Sequence, residues 1–455
     1  MKKHKVLIAN RGEIAVRIIK ACRALGLDTV LVVSEAEKES MGAALADEVV
    51  CIGPPQARSS YLEIHKIIDA AKETRADAIH PGYGFLAENP DLPEACEKSA
   101  IVFIGPRAQT MRQLGDKLSA RELARNSGVP MAEGSRALRG FEDVEAEVHK
   151  IGFPVILKAS AGGGGRGMRI VGGHKELRDA FHVASNEALT AFGDPTLFLE
   201  RYVEHARHVE VQVIGDEFGK LIHLGHRDCT AQRRHQKLIE EAPSCHLPDA
   251  LRGRMLEAAV ALTAGVGYSS AGTVEFLVDT DRGEFYFMEV NTRIQVEHPV
   301  TEAITGVDLV EEQIRIAFGA PLSLSQEDIG FKGHAVECRI TAEDARDDFF
   351  PSPGCIEEFA VPRGDRVRVD THCYRGYTIS PYYDSLLAKL ITTGNTRDEA
   401  LANMSAALGD FGIEGIETNI EFLKFVIARP EFVRGDIHVR WIEDRVVPAF
   451  VSSTS

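Results

Sequence analysis

The stretch Phe287-Met288-Glu289-Val290-Asn291-Thr292-Arg293-Ile294-Gln295-Val296-Glu297-His298-Pro299 alternates apolar and polar residues with a period of two. Successive side chains on a strand point to opposite faces, so the pattern reads as a half-buried strand. Its polar face carries Glu289, Asn291 and Arg293, with Gln295 and Glu297 continuing the row. A solvated strand face has no need of ordered oxygen donors followed by a guanidinium. That order suits a divalent cation and an anionic substrate.

The neighbouring segment extends the pattern. Gly272–Val278 and Phe285–Asn291 flank a turn rich in Asp, Arg and Gly and read as a hairpin. Pairing Asp279 with Phe285 sets Glu275 opposite Glu289 and Thr273 opposite Asn291. It turns Val274, Phe276, Val278, Tyr286, Met288 and Val290 toward a core. Two carboxylates opposed at ~5 Å repel each other, and a cation turns that repulsion into a site. Oxygen ligands without Cys or clustered His select Mg²⁺ or Mn²⁺. A slipped register that leaves one carboxylate solvated is the competing reading.

At 455 residues and ~150 residues per domain, about three domains are expected. The formal net charge of −16 argues against a large nucleic-acid surface, so clusters of basic residues read as local sites for small anions. Eight cysteines are scattered without a C-x-x-C pair. Zinc spacing is absent, and so long a chain argues against a disulfide framework and for reduced thiols in a cytoplasmic protein. The basic start, Met1 to Lys5, leads into only four apolar residues, a first core strand and not a signal peptide. No run approaches the ~18 apolar residues of a membrane span.

Lys5–Ala9, Thr29–Val33, Ala78–His80 and Val102–Ile104 read as buried strands with helices such as Tyr61–Lys72 between them. Strands alternating with helices imply a doubly wound parallel sheet over residues 1–115. Its first turn has Gly12 alone and no G-x-G-x-x-G, which argues against a dinucleotide site. A second unit, residues 130–203, holds the strand Pro154–Lys158, a glycine loop, the strand Met168–Val171 and a helix from Lys175 to about Leu189. From 204 to 455 the chain is β-rich, with His208–Ile214, Lys220–Gly225, Gly272–Asp279, Glu284–Asn291, Ala335–Thr341 and Leu387–Thr392 extended. The fold class is therefore mixed, α/β followed by α+β.

The glycine loop is Ala159-Ser160-Ala161-Gly162-Gly163-Gly164-Gly165-Arg166-Gly167, with Lys158 leading into it. Consecutive glycines let backbone N–H groups approach phosphate oxygens closely. No GK[ST] follows and the next segment is a strand, so this is not a Walker loop; a strand–glycine loop–strand reads as a flap closing over a nucleotide, with a plain linker as the alternative. Four basic or potentially basic residues lie in Gln232-Arg233-Arg234-His235-Gln236-Lys237, a candidate reader of phosphate or a carbonate-like anion. A solvated loop is the alternative. Upstream, His208, Glu210 and Gln212 share one strand face.

These residues together resemble the biotin carboxylases, the ATP-grasp component of biotin-dependent carboxylases such as bacterial acetyl-CoA carboxylase. The resemblance runs from Ile8-Ala9-Asn10-Arg11-Gly12-Glu13-Ile14-Ala15 through His80-Pro81-Gly82-Tyr83-Gly84-Phe85-Leu86, the flap, Gln232–Lys237 and Glu289–Thr301. It continues to His334-Ala335-Val336-Glu337-Cys338-Arg339 and Pro381-Tyr382-Tyr383-Asp384-Ser385. It implies an ATP-grasp fold with a mobile glycine-flap lid and a β-rich C-terminal domain. The implied activity is phosphorylation of bicarbonate by ATP to carboxyphosphate, then carboxylation of biotin N1′.

By that resemblance Lys117 and Lys158 contact ATP phosphates, and the backbone of Gly163, Gly164 and Gly165 covers them. Glu200 and Val203 match the linker that reads adenine, mostly through backbone, while His208, Gln232 and His235 match other nucleotide positions. Glu275 and Glu289, with Asn291 alongside, match the Mg²⁺ (or Mn²⁺) ligands. Lys237, Arg293, Gln295 and the Val296 backbone match the bicarbonate site, and Glu297 the general base. Arg339 matches the residue that stabilises the biotin enolate, with Tyr83 beside the biotin pocket.

The implied partners are a biotin carboxyl carrier protein, since the chain lacks an Ala-Met-Lys-Met biotinylation motif, and carboxyltransferase subunits. Ala161 replaces a fifth flap glycine. Lys20 and Ala24 stand where the best-known bacterial members carry an Arg and a Glu at a dimer interface, so a homodimer is left open. The final carboxyl acceptor belongs to the carboxyltransferase and is not written in these residues. A carboxylate–amine ligase acting through an acyl phosphate, and a silent ATP-binding scaffold, are the alternatives. The combination of Arg293, Glu297, Lys237 and Arg339 argues against both.

Overall fold

The structure is a computed structural model describing residues 3–138, 140–160 and 168–454. Five strands form the first sheet: β1 (Lys5–Ile8), β2 (Asp28–Ser34), β3 (Glu48–Gly53), β4 (Ala78–His80) and β5 (Val102–Phe103). All are parallel, in the order β3-β2-β1-β4-β5. The period of two divides β1 between two cores. Val6 and Ile8 pack with Ile14, Ile18 and Ile19 of the helix Gly12–Ala24, whereas Leu7 and Ala9 pack with Ile67 and Ala71 of the helix Ile64–Thr74. Helices on both faces make this the doubly wound sheet expected. β3 carries no strong pattern because it is an edge strand with most of its residues outside the core.

Three strands, β6 (Val155–Ala159), β7 (Met168–Val171) and β8 (Leu197–Arg201), form an antiparallel sheet in the order β7-β6-β8. The helices Phe141–Ile151 and His174–Phe192 cover it through Val144, Val148, Leu177 and Phe181. Gly163, Gly164 and Gly165 of the expected flap lie outside the described residues.

An eight-stranded antiparallel sheet carries the rest. It contains β9 (Ala206–Gly215), β10 (Leu221–Arg233), β11 (Gln236–Ala242), β12 (Ser270–Asp279), β13 (Glu284–Asn291) and β14 (His334–Thr341). Their order is β13-β12-β9-β10-β11-β14, continued by Leu386–Gly394 and Val367–Thr371. No helix among the described residues is long and apolar enough to cross a membrane.

Two expectations about the opening segment need correction. The hairpin does pair Thr273 with Asn291 and Glu275 with Glu289, but the ladder then shifts, so that Phe276 faces Phe287 and Asp279 faces Glu284, not Phe285. The extra residue is a bulge at Met288. It sends Phe285 and Phe287 into the core with Val274, Phe276 and Val290, and leaves Met288 43% exposed. The strand also stops at Asn291 instead of running on to Glu297. The Thr292 N–H donates to the Glu88 carboxylate at 3.1 Å and not to a ladder. Gln295 and Glu297 therefore sit on a turn that enters the helix His298–Thr305, with Glu297 at its N-cap.

The basic cluster is a hairpin whose tip, Arg234, His235 and Gln236, is exposed, while Gln232 and Arg233 are buried. Arg233 pairs with Gln236 across β10 and β11, and Arg234 and His235 make the two-residue turn with φ of 47° and 63°. Two left-handed residues are what the twist of a tight hairpin demands.

Candidate active site

The expected site residues that the structure describes all line one cleft of ≈ 1640 Å³: Tyr83, Lys117, Lys158, Glu200, Val203, His208, Gln232, His235, Lys237, Glu275, Glu289, Asn291, Arg293, Gln295, Val296, Glu297 and Arg339. Strand register assembles its charged floor. Glu289 faces Glu275, Glu275 faces Glu210, and Glu210 faces Arg227, a row of three carboxylates and one guanidinium across β13, β12, β9 and β10. Arg227 is fully buried and donates to Glu210 at 2.5 Å, Gln212 at 2.7 Å, Thr301 at 2.9 Å and Thr273 at 3.1 Å.

Lys237 is the hub. Its Nζ donates to Glu297 Oε1 at 2.5 Å, Glu210 Oε2 at 2.6 Å, Glu275 Oε1 at 3.0 Å and Gln295 Oε1 at 3.3 Å. Arg339 donates from Nε to Glu240 Oε1 at 2.6 Å and from Nη2 to Glu297 Oε2 at 2.9 Å. Burial pushes the Glu297 carboxyl up, but Lys237, Arg339 and Arg227 outweigh it and hold the group well below the usual carboxylate range. Glu297 is thus an ionised, fully buried carboxylate whose two oxygens face two different cations.

The flanking carboxylates behave oppositely. Burial pushes Glu240 up to about 7; Arg339 opposes the rise and Glu297 adds to it. Glu337, opposite Glu240 across β11 and β14, is pushed well above the carboxylate range by burial, against Lys389 and with Glu240 adding to the rise. Neither Glu337 oxygen has a hydrogen-bond partner among the described residues, which fits a neutral acid.

The metal pair can be tested on its donors. Burial and then the Glu275 charge raise Glu289, while Glu275 itself is held low, against its burial, by Lys237 and His208. Asn291 Nδ2 donates to Glu275 at 2.9 Å. Hard oxygens, with Glu289 short of positive charge, fit a divalent cation. Nearby, burial lowers the Lys117 ammonium and Glu289 is the main opposing influence. Asp116 caps the helix Lys117–Asn126, which fixes where that lysine starts.

At the other end, Lys158 and Arg121 both donate to the Glu200 carboxylate. Glu200 therefore holds a side-chain role that a backbone linker would not need. Val203 packs with Ala206 and Tyr286, with Leu277 and Val439 beside them, as an apolar wall. Arg293 donates to Glu88 Oε2 at 2.9 Å and Asn291 Oδ1 at 3.0 Å. The Tyr83 hydroxyl donates to Glu13. His208 Nε2 lies 3.1 Å from Glu275 Oε2.

Sequence reasoning left several residues without a role. Glu210 was visible on the His208 strand face, but its two cations come from other strands. Glu88 follows the His80–Leu86 motif, yet its partner Arg293 is 205 positions away. Arg227, Glu240 and Lys389 carry no local signal, and Glu13, though inside the Ile8–Ala15 motif, meets Tyr83 and Lys389 only in the fold.

Three family models match the chain: the biotin carboxylase N-terminal domain over residues 2–111, the carbamoyl-phosphate synthase L chain ATP-binding domain over 116–325, and the biotin carboxylase C-terminal domain over 337–444. Biotin carboxylase 1 of Bacillus subtilis (strain 168) is 52% identical over 96% of this chain and 98% of its own length. Biotin carboxylase of Pseudomonas aeruginosa is 50% identical over 97% of this chain and 98% of its own. A solved biotin carboxylase–β,γ-ATP complex from Campylobacter jejuni superposes with a TM-score of 0.93 at 46% identity, covering 97% of this chain and 99% of that one. The chain belongs to the biotin carboxylase family.

Proposed function

We propose that this cleft performs ATP-dependent carboxylation of biotin by bicarbonate, with the residue roles that follow. The observation that carries the reading is Glu297, ionised and fully buried between Lys237 and Arg339. Lys237, Arg293, Gln295 and the Val296 backbone bind bicarbonate. As bicarbonate draws Lys237 and Arg339 onto its own oxygens, Glu297 loses the two contacts that keep it weakly basic. It then takes the bicarbonate proton while the bicarbonate oxygen attacks the γ-phosphorus, the bond from that phosphorus to the β,γ-bridging oxygen breaks and ADP leaves.

Lys117, Lys158 and the flap glycines hold the phosphates, and the apolar wall at Val203 takes the adenine. Lys158 must then leave Glu200, which Arg121 keeps neutralised. Glu275 and Glu289, with Asn291 alongside, would hold Mg²⁺, which would supply neutralisation of phosphoryl charge. Carboxyphosphate yields CO₂ and phosphate, the phosphate removes the N1′ proton, Arg339 stabilises the resulting enolate beside Tyr83, and N1′ then bonds to the CO₂ carbon. Biotin is delivered on a separate carrier protein, and a carboxyltransferase consumes the product. The match to Biotin carboxylase 1 of Bacillus subtilis supports the carboxylase reading.

The test is ATP hydrolysis by the purified chain. Turnover should require bicarbonate and rise with free biotin; turnover indifferent to both would overturn the reading.

A further inference from the structure

Lys389 is fully buried on the strand Leu386–Gly394. Lysines are almost never fully buried unless their charge is matched, and here the matching contacts lead into the cleft. Its Nζ donates to the Val296 carbonyl at 3.0 Å. It lies 3.1 Å from Glu13 Oε2 and 4.0 Å from Asp370 Oδ2. Glu13 stands in the first turn of the helix Gly12–Ala24, and its other oxygen accepts the Tyr83 hydroxyl. One ammonium therefore joins the first helix, the tyrosine of the biotin side and the turn that carries the base.

Backbone accounting shows why the turn needs it. The Gln295 carbonyl accepts from the His298 N–H at 3.3 Å and the Glu297 carbonyl from the Val300 N–H at 3.3 Å. The Val296 carbonyl between them is met by a side chain from a distant strand. A buried carbonyl left without a partner would turn its peptide to find one. That peptide supplies the Glu297 N–H, so its plane sets the path of the chain from the Val296 backbone to the Glu297 carboxylate.

We propose that Lys389 is a positioning residue of the bicarbonate site, holding the Val296–Glu297 peptide so that the Val296 backbone and the Glu297 carboxylate face one anion. The inference rests on the assignment of that site made above. It separates two arms of the network: Lys389 to Val296 serves bicarbonate, and Glu13 to Tyr83 serves biotin.

Three variants test it by steady-state kinetics, with melting temperatures as the check on folding. K389M keeps the stem and removes the ammonium. It is expected to lower kcat/KM for bicarbonate by about ten-fold or more while KM for ATP stays within about two-fold. K389M strands the buried Glu13 carboxylate, so K389M/E13Q, which removes both charges and keeps an oxygen for Tyr83, is measured beside it and should show the same selective loss. E13Q alone keeps both the Lys389–Val296 bond and an acceptor for Tyr83, and should leave KM for bicarbonate within about two-fold. Wild-type bicarbonate kinetics in folded K389M/E13Q would overturn the proposal, as would parallel rises in the KM values for ATP and bicarbonate. Wild-type turnover that ignores bicarbonate would instead overturn the site assignment beneath it.

Discussion

Glu240→Gln is expected to change stability with a pH dependence whose sign follows from three carboxylates sharing one guanidinium. Glu240 lies opposite Glu337, and its partner Arg339 also serves Glu297 at 2.9 Å. Burial pushes Glu240 up to about 7, whereas an unfolded glutamate titrates near ~4.3. Between those values the folded chain keeps a proton that the unfolded chain has released. Stability therefore falls as pH rises through this window and is flat above about 7. Each unit is worth ~1.4 kcal/mol, so wild type loses ~3 kcal/mol from this group between about pH 5 and about pH 8. Glutamine cannot ionise and escapes the loss. The variant-minus-wild-type difference should favour the variant by ~3 kcal/mol more at the higher pH. Any fixed cost of the amide cancels between the two conditions. Trp441, the sole tryptophan, is buried in the same core as Ile239 and Cys338, so its fluorescence in a denaturant titration reports on the body containing β11 and β14. A difference that is constant with pH, or that grows toward acid, would refute the reasoning.

Two further outcomes are expected. Glu297→Gln should lower bicarbonate-dependent ATP turnover by ~10²–10⁴-fold with nucleotide affinity, read by calorimetry, unchanged; surviving turnover would refute the base assignment. Glu289→Gln should move two measurements in opposite directions. The Mg²⁺ concentration for half-maximal activity should rise, while the ligand-free protein gains a few tenths of a kcal/mol as repulsion from Glu275 is relieved, a small gain because the side chain opens onto the cleft. An unchanged Mg²⁺ requirement would remove Glu289 from the metal site.

What could be read from the sequence depended on how far apart the interacting residues lie. The doubly wound sheet was legible because β1 buries both faces and each following strand is separated from the last by helix or loop. The Glu275–Glu289 pair was legible because one hairpin contains both. The error near that hairpin's tip has a visible cause. Strict alternation would put Phe285 and Phe287 on the face of Glu289 and opposite Val290, and the bulge at Met288 changes the parity so that Phe285, Phe287 and Val290 share one core while Tyr286 faces the other way. The shift lies between the turn and Glu289, so it spoils the pairing at the tip and leaves the site's pairing intact. The end of the strand at Asn291 was not legible, because what ends it is Glu88, a residue from the first sheet's surroundings that takes the Thr292 N–H and Arg293 together. The same holds for the charge of Glu297. Its local neighbours suggest only a polar turn, whereas its low pKa comes from Lys237, Arg339 and Arg227 on three different strands. A motif can therefore name the proposed base, but the contacts that make it an anion at rest, and that the proposed mechanism has bicarbonate draw away, exist only once the eight-stranded sheet is in register.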